Sequence, residues 1–476
     1  MRYILTSGYA LRGWQKTPHA LLELSSNRVT FLGRERFMLL LNCDGLHDIS
    51  AAGMTEPQRA MLEEYLAGGV IEPCGEGRTL AERQKWRVYP ARYKSAAQWS
   101  ITGRCNLRCR HCFMSAPEAA LGEPGLEQCL DIVAQLAECG VGSVSLTGGE
   151  PLVRRDFWKI VDALCCEEIK ITTLFTNGVL LDSAVLDGFE VRGLHPRLQF
   201  SFDGVGCHDW MRGVEGAESK VTRAMHLSAG RGFEFSAAMC LNRHNAGTLR
   251  DTVRTLAELG CSGLKVNNTC AAGEWLNQRG DALSDSECFA LYLDYIPQFF
   301  ADGAPLSLML DGMFAYSKDE RLSFIQYERG GAGETGMLLC PHIRRELYIS
   351  PQGRVLPCMS MAGSAIERDF PTMFQTPLRD ILGDSDYMRR ADFHLEEYLA
   401  HHADCAGCEY AGRCCGGCRA SAIGCDGTDY LARDERACTF FRGGWADKTA
   451  KLNLTHNITA SRRREILKPK PWEVKL

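Results

Sequence analysis

The chain has no run of about eighteen consecutive apolar residues, so no membrane-spanning helix is expected. Its first residues, "MRYILTSGYALRGWQK", lack the apolar core and cleavage site of a secretory signal, which points to the cytoplasm. Excess charge is missing as well. The 54 lysines and arginines face 59 aspartates and glutamates, a net charge of −5, so neither nucleic acid nor a membrane surface is expected as a partner. The one basic run, "SRRREILKPKPWEVKL", closes a segment (446–476) that reads as a solvated tail. Internal repeats and low-complexity stretches are also lacking, and 476 residues suffice for two or three ordinary domains.

Cysteine is what the chain has in plenty, 23 in all. In a reducing compartment this excludes a disulfide framework and favours metal binding, with the remaining thiols buried. Cys129, Cys139, Cys240 and Cys261 fall singly in apolar-patterned segments and read as small core residues. Two groups do not: "CNLRCRHC" at 105–112 and "CAGCEYAGRCCGGC" at 405–418.

Pattern divides the chain. Residues 1–80 hold a strand pair around "ALLELSSNRVTFLG", a short helix "RERFMLLLNCDG" ending at Gly45, a helix with Thr55 as N-cap and Pro57 in its first turn, and a strand "VIEPC". Strands flanking a helical pair predict a winged-helix-like module, followed by a linker at 81–96. From 97 to 283, strands "QWSIT", "SVSLT", "KITTLFT", "RLQFSFD", "FEFSAAMCL" and "GLKVN" alternate with helical patterns. One of these helices repeats Leu126, Leu130, Val133 and Ala137 at helical spacing. The class is therefore α/β with a parallel sheet, and ligands of such sheets sit at the carboxyl ends of the strands. A bridging segment (284–339), a hairpin "RELYISPQGRVLPC" and a cysteine-dense end (340–445) follow.

Cys105, Cys109 and Cys112 follow the first of these strands in a C-x3-C-x2-C pattern. Three thiolates on one loop suit a [4Fe–4S] cluster with one iron lacking a protein ligand; structural zinc would want a fourth Cys or His nearby. With "GGEP" (148–151), "TNG" (176–178), "SFDG" (201–204) and "HDWMRG" (208–213), each after its own strand, the chain resembles the radical S-adenosylmethionine (radical SAM) superfamily. That resemblance implies a partial (βα)6 TIM-like barrel, and a cluster iron that chelates S-adenosylmethionine to generate a 5′-deoxyadenosyl radical. It also implies that Gly148, Gly149 and Glu150 receive the methionine ammonium, that Ser201 and Arg212 bind its carboxylate, and that the backbone near His111 meets adenine. Asp203 and Asn177 read equally as strand-end caps or cofactor contacts.

Further on, Cys340, Cys358, Cys405, Cys408, Cys414, Cys418 and Cys438 resemble the SPASM extension of peptide- and protein-modifying radical SAM enzymes. The resemblance implies two auxiliary [4Fe–4S] clusters, three clusters in all. Cys405, Cys408, Cys414 and Cys438 would hold one; Cys340, Cys358 and Cys418 would hold the other. The second set is one ligand short: an open site for a substrate thiolate, Glu334 or water, and recruitment of Cys415 or Cys425 all stay open. On spacing alone a zinc ribbon also stays open.

The N-terminal helix "TEPQRAMLEEYL" carries three glutamates against one arginine, which disfavours a DNA-recognition helix. Residues 1–80 resemble instead the PqqD-like element of peptide maturases, in which a leader peptide adds a strand to a sheet edge. The expected function is a radical SAM/SPASM maturase that crosslinks a ribosomally made precursor peptide through a thioether or carbon–carbon bond, reduced by flavodoxin or ferredoxin. A formylglycine-generating sulfatase maturase is the enzyme alternative, and an iron–sulfur redox-sensing DNA-binding regulator the non-enzyme one. No residue declares itself as a catalytic base.

Overall fold

The computed structural model describes residues 1–49, 53–116, 119–269, 273–331 and 333–452, without the side chains of 277–279, 425 and 426. The basic run at 461–476 and the Cys425 side chain lie outside the described residues.

The centre is an 11-stranded, mostly parallel sheet, which bears out the α/β class. Strands Ala96–Ser100, Ser143–Thr147, Lys170–Thr176, Arg197–Ser201, Phe235–Leu241 and Gly263–Asn268 pair in parallel in chain order. Each is followed by a helix, reached through a 3-10 turn after Ser143–Thr147, Phe235–Leu241 and Gly263–Asn268, the last of which leads to helix Asp285–Ala301. The strands carry near-continuous apolar residues because both faces are covered: Val144, Leu146, Leu174, Leu198 and Phe200 are all fully buried.

The parallel run goes one strand beyond the six read from the sequence, since Ser307–Leu310 pairs in parallel with Gly263–Asn268. At the opposite edge, Glu346–Ile349 of the expected hairpin pairs in parallel with Ala96–Ser100, joining the C-terminal segment to the first barrel strand. The sheet order runs from strand Leu322–Phe324 to strand Val355–Leu356 without closing on itself.

Helix Leu126–Glu138 turns a different face inward from the one its leucines suggested. Cys129, Ile132, Val133 and Leu136 are buried, whereas Leu130 is 39% exposed. Two overlapping stripes fit helical spacing here, and packing on the sheet selects the one holding β-branched residues and the cysteine. Cys129, Cys139 and Cys261 are core residues, but Cys240 is only half-buried, at the carboxyl end of its strand.

The N-terminal region has its own core around Phe37, Leu40, Leu62 and Tyr65. A three-stranded sheet (Asp44–Asp48, Arg2–Leu5, Ile71–Cys74) and a four-stranded one (Arg28–Phe31, Thr17–Glu23, Tyr9–Gln15, Arg87–Arg92) flank helices Arg34–Leu41 and Glu56–Ala67. The first helix stops at Leu41, not Gly45, because Asp44–Asp48 pairs with Arg2–Leu5 and a Cβ at Gly45 would lie 2.2 Å from the Arg78 carbonyl oxygen. Thr55 and Gln58 form the capping box of the second helix, with Pro57 in its first turn. Part of the expected linker is likewise built into a sheet, as strand Arg87–Arg92 beside Tyr9–Gln15.

This region rests on the amino ends of the barrel strands. Trp14 Nε1 donates to the Cys139 carbonyl (3.0 Å), Lys170 Nζ donates to the Leu24 carbonyl (2.7 Å), and Asn27 bonds the Gly142 carbonyl. It therefore lies at the end of the strands opposite to the one that bears Cys105–Cys112. Lys94, between the two regions, is fully buried; its ammonium donates to the Ile343 carbonyl and lies 5.4 Å from the Tyr387 ring centre. Among the described residues no helix is long and apolar enough to cross a membrane.

Candidate active site

The loop that leaves strand Ala96–Ser100 is held from several sides by backbone hydrogen bonds. Gly149 N donates to the Thr102 carbonyl (2.9 Å) and Glu150 N to the Arg104 carbonyl (2.9 Å). Arg108 N and Arg110 N donate to the carbonyls of Arg212 (3.1 Å) and Met211 (2.9 Å), and Glu274 N donates to that of Cys112 (3.0 Å). The contacts are close enough to require glycine: a Cβ at Gly149 would lie 2.3 Å from the Arg104 oxygen.

Within this loop each of the three expected cluster sulfurs accepts an N–H. Leu107 N reaches Cys105 Sγ (3.4 Å), Ala116 N reaches Cys112 Sγ (3.4 Å) and Arg212 Nη1 reaches Cys109 Sγ (3.5 Å). Burial, with the neighbouring thiols adding to it, pushes Cys105 up to about 12. Three cysteines gathered so closely on one loop are the donor set an iron cluster requires.

The surrounding residues come from the ends of successive strands. Glu150 is buried, and its carboxylate accepts from Leu152 N (3.2 Å), Thr176 Oγ1 (3.0 Å) and Asn177 N (2.8 Å), tying the second strand end to the third. Burial raises its carboxyl to about 7. Asn177 Nδ2 donates to Asn106 Oδ1 (2.8 Å), so the "TNG" turn pins the cysteine loop. Ser201 ends the fourth strand, half-buried.

Asp203, next along, is fully buried; Oδ1 accepts from Cys240 N (2.9 Å), and Oδ2 pairs with Arg212 Nε (2.7 Å). Burial alone would raise its carboxyl, but the Arg212 guanidinium holds it below the usual range. His208 Nδ1 accepts from Asp203 N (3.0 Å). Burial pushes both His111 and His208 down to about 4, so both rings are neutral. The buried Nδ1 of His111 has no hydrogen-bond partner among the described residues. His111, Asp203 and Cys240 bring potential ligand atoms within 4.8 Å of one another. Cys240 was missed from sequence because a cysteine in an apolar strand carries no signal of which end of that strand it occupies.

The C-terminal cysteines separate into two groups. One cavity is lined by Cys405, Cys408, Cys414 and Cys438, with Tyr398, Tyr410 and Phe441 around them; Cys418 is not among its walls. Cys340 and Cys418 cap the short helices Pro341–Arg345 and Arg419–Asp426, and Cys358 follows strand Val355–Leu356. Burial, and then the nearby Cys418 and Cys340, push Cys358 up to about 11. Arg329 donates to the carbonyls of Leu339 (3.2 Å) and Gly417 (2.9 Å), each next to a cysteine of this group. Burial works against its charge, while Cys418 and Cys340 support it, and no carboxylate pairs with it among the described residues. Of the candidate extra ligands, Glu334 accepts from Gly331 N (3.1 Å) in its own loop, and the buried Cys415 turns to the Gly412 carbonyl (3.2 Å) among Leu339, Leu395 and Tyr398.

A carboxyl-end cysteine triplet beside a Gly–Gly turn defines a class, and residues 99–256 match the family described as Radical SAM superfamily; this segment is a radical SAM domain. The chain is 24% identical over 332 residues to the antilisterial bacteriocin subtilosin biosynthesis protein AlbA of Bacillus subtilis, covering 66% of this chain and 67% of that one. It is 26% identical over 362 residues to the AdoMet-dependent heme synthase of Nitratidesulfovibrio vulgaris, covering 72% and 91%. In fold it matches Streptococcus suis SuiB bound to its precursor peptide SuiA, with a TM-score of 0.62 at 14% identity over 92% of this chain and 99% of that one.

Proposed function

We propose that the protein is a radical SAM enzyme that modifies a ribosomally made precursor peptide by hydrogen abstraction and thioether or carbon–carbon crosslinking. One observation carries the reading: three sulfurs, each holding an N–H, sit on a clamped loop at the carboxyl ends of a parallel sheet, next to Gly148 and Gly149. A relative named for bacteriocin biosynthesis, another named a PqqA peptide cyclase, and a fold shared with a protein bound to its precursor peptide support the substrate class.

Cys105, Cys109 and Cys112 would hold a [4Fe–4S] cluster. When bound, cluster and S-adenosylmethionine supply the 5′-deoxyadenosyl radical that takes a hydrogen atom from the peptide. The Glu150 carboxylate already holds three donors, so the Gly148 and Gly149 carbonyls are left to receive the methionine ammonium. Ser201 would face the carboxylate, and the neutral His111 ring would offer its unpartnered nitrogen toward adenine. Cys405, Cys408, Cys414 and Cys438 would hold one auxiliary cluster around their cavity. Cys340, Cys358 and Cys418 would hold the other, with the remaining ligand position left to a substrate group such as a peptide thiolate. Residues 1–80 would bind the leader of the precursor, and flavodoxin or ferredoxin would deliver electrons.

Because the N-terminal region lies on the amino-end side of the barrel, a bound leader must pass along the barrel's flank to bring the core peptide to the cysteine loop. Anaerobic co-expression with the short peptide encoded beside this chain tests the reading. A peptide lighter by about two mass units per crosslink supports it; an unmodified peptide together with conversion of a porphyrin supports the second reading that the heme synthase relative favours.

A further inference from the structure

The "HDWMRG" element is engaged by the protein at nearly every residue. His208 binds the Asp203 backbone, and Asp209 accepts from Gly216 N and Glu218 N (both 2.7 Å), capping helix Ala217–Gly230. Trp210 gives its carbonyl to Arg110 Nε (3.0 Å), and its ring lies 4.7 Å from the same guanidinium. Met211 and Arg212 give their carbonyls to the cysteine loop, and a Cβ at Gly213 would lie 2.4 Å from the Arg108 oxygen. The family resemblance directs the Arg212 guanidinium to the methionine carboxylate. Here it lies between Asp203 Oδ2 (2.7 Å from Nε) and Cys109 Sγ (3.5 Å from Nη1), in a residue only 7% exposed.

We infer that Arg212 is a positioning residue for the cluster: held by Asp203, it donates a charge-assisted hydrogen bond to the Cys109 sulfur and raises the reduction potential of the iron–sulfur site. This rests on Cys105, Cys109 and Cys112 holding that cluster. Reduction adds negative charge, spread in part over the sulfurs, and a cationic N–H donor at one sulfur favours the reduced form. Asp203 fixes the donor, because its other oxygen is anchored by Cys240 N (2.9 Å) on the neighbouring strand. The pair leaves one guanidinium edge for the sulfur, the kind of outer contact that tunes a metal site without ligating it.

The test is a redox titration, followed by electron paramagnetic resonance, of the full-length reconstituted protein, reading the reduced signal that changes on adding S-adenosylmethionine. Wild type is compared with Arg212→Lys, Arg212→Gln and Asp203→Asn. Arg212→Gln is expected to move the midpoint to a more negative potential while keeping its iron, and Arg212→Lys to restore part of the shift. S-adenosylmethionine affinity should change by less than about tenfold. If Arg212→Gln fails to assemble the cluster, Arg212→Lys and Asp203→Asn must each shift the midpoint. An unmoved midpoint in the variants that assemble overturns the inference, and so does a loss of affinity of about tenfold or more with the midpoint unchanged, which would return Arg212 to the carboxylate. Absence of any signal responsive to S-adenosylmethionine in the wild type would instead sink the underlying assignment of the cluster.

Discussion

The two cysteine regions are held in place by different means. Cys105, Cys109 and Cys112 lie within eight residues of one loop, fixed by backbone bonds to strand ends around it. The C-terminal cysteines span residues 340–438 and come from short helices, helix caps and a hairpin, with few regular elements to hold them. In the first region backbone bonds to the ends of a rigid sheet position the three cysteines. In the second, the packing of aromatic rings and of Arg329 around sulfur does the positioning, so stability there should depend more on what the cysteines bind.

The comparison breaks most severely if the regions are not independent. Replacing Cys105, Cys109 and Cys112 together with Ala should reduce deoxyadenosine formation by at least about a thousandfold. Iron should fall by about a third from roughly twelve per chain, with the C-terminal sites still loaded. Total iron near four with bound zinc in the wild type would instead make the C-terminal region a zinc module. Next in size, Cys405→Ala with Cys408→Ala should cost a similar share of iron and lower the protein's melting temperature. It should leave deoxyadenosine formation within about twofold while peptide product falls about tenfold or more. A parallel loss of deoxyadenosine would show that the second region supports the first.

Gly149→Ala probes the clamp without touching a ligand. Its Cβ would meet the Arg104 oxygen at 2.3 Å, and deoxyadenosine formation should fall by about ten- to a hundredfold as the cysteine loop is displaced. Retained activity would mean that the loop is less rigid than its bonds imply. The smallest effect concerns the fully buried Lys94. Burial pushes its ammonium down from 10.5 to about 7, so the unfolded chain binds the extra proton above that pH. Stability should therefore rise with pH from about 7 until the thiols begin to titrate, by at most about 1.4 kcal/mol per pH unit. Chemical denaturation of Lys94→Met should show that rise flattened; an identical slope would mean that Lys94 stays charged.

Much of this was legible in residue order because its causes are local. The strand–turn residues "GGEP", "TNG" and "SFDG" each sit at a strand end, and the Thr55–Gln58 capping box needs only four consecutive residues. Where two local solutions were equally good, order did not choose. Leu130 and Ile132 both fit a helical stripe, and the sheet buries Ile132. Segment 42–48 follows a helix-forming stretch, yet pairing with Arg2–Leu5 makes Asp44–Asp48 a strand.

The sequence by itself determined the chemistry-bearing types: a three-cysteine loop after a strand, the glycines that approach it and a second, cysteine-rich end. Spacing constrains neighbours strongly, so such units survive in any fold that contains them. Tertiary structure decided what each polar group faces. It set Arg212 between Asp203 and Cys109 and filled the Glu150 carboxylate with three donors. It also placed Cys240 beside Asp203 and laid Glu346–Ile349 along Ala96–Ser100 across 250 residues of chain. Those contacts depend on burial and on closure of long loops, which are properties of the assembled molecule and not of any stretch of it.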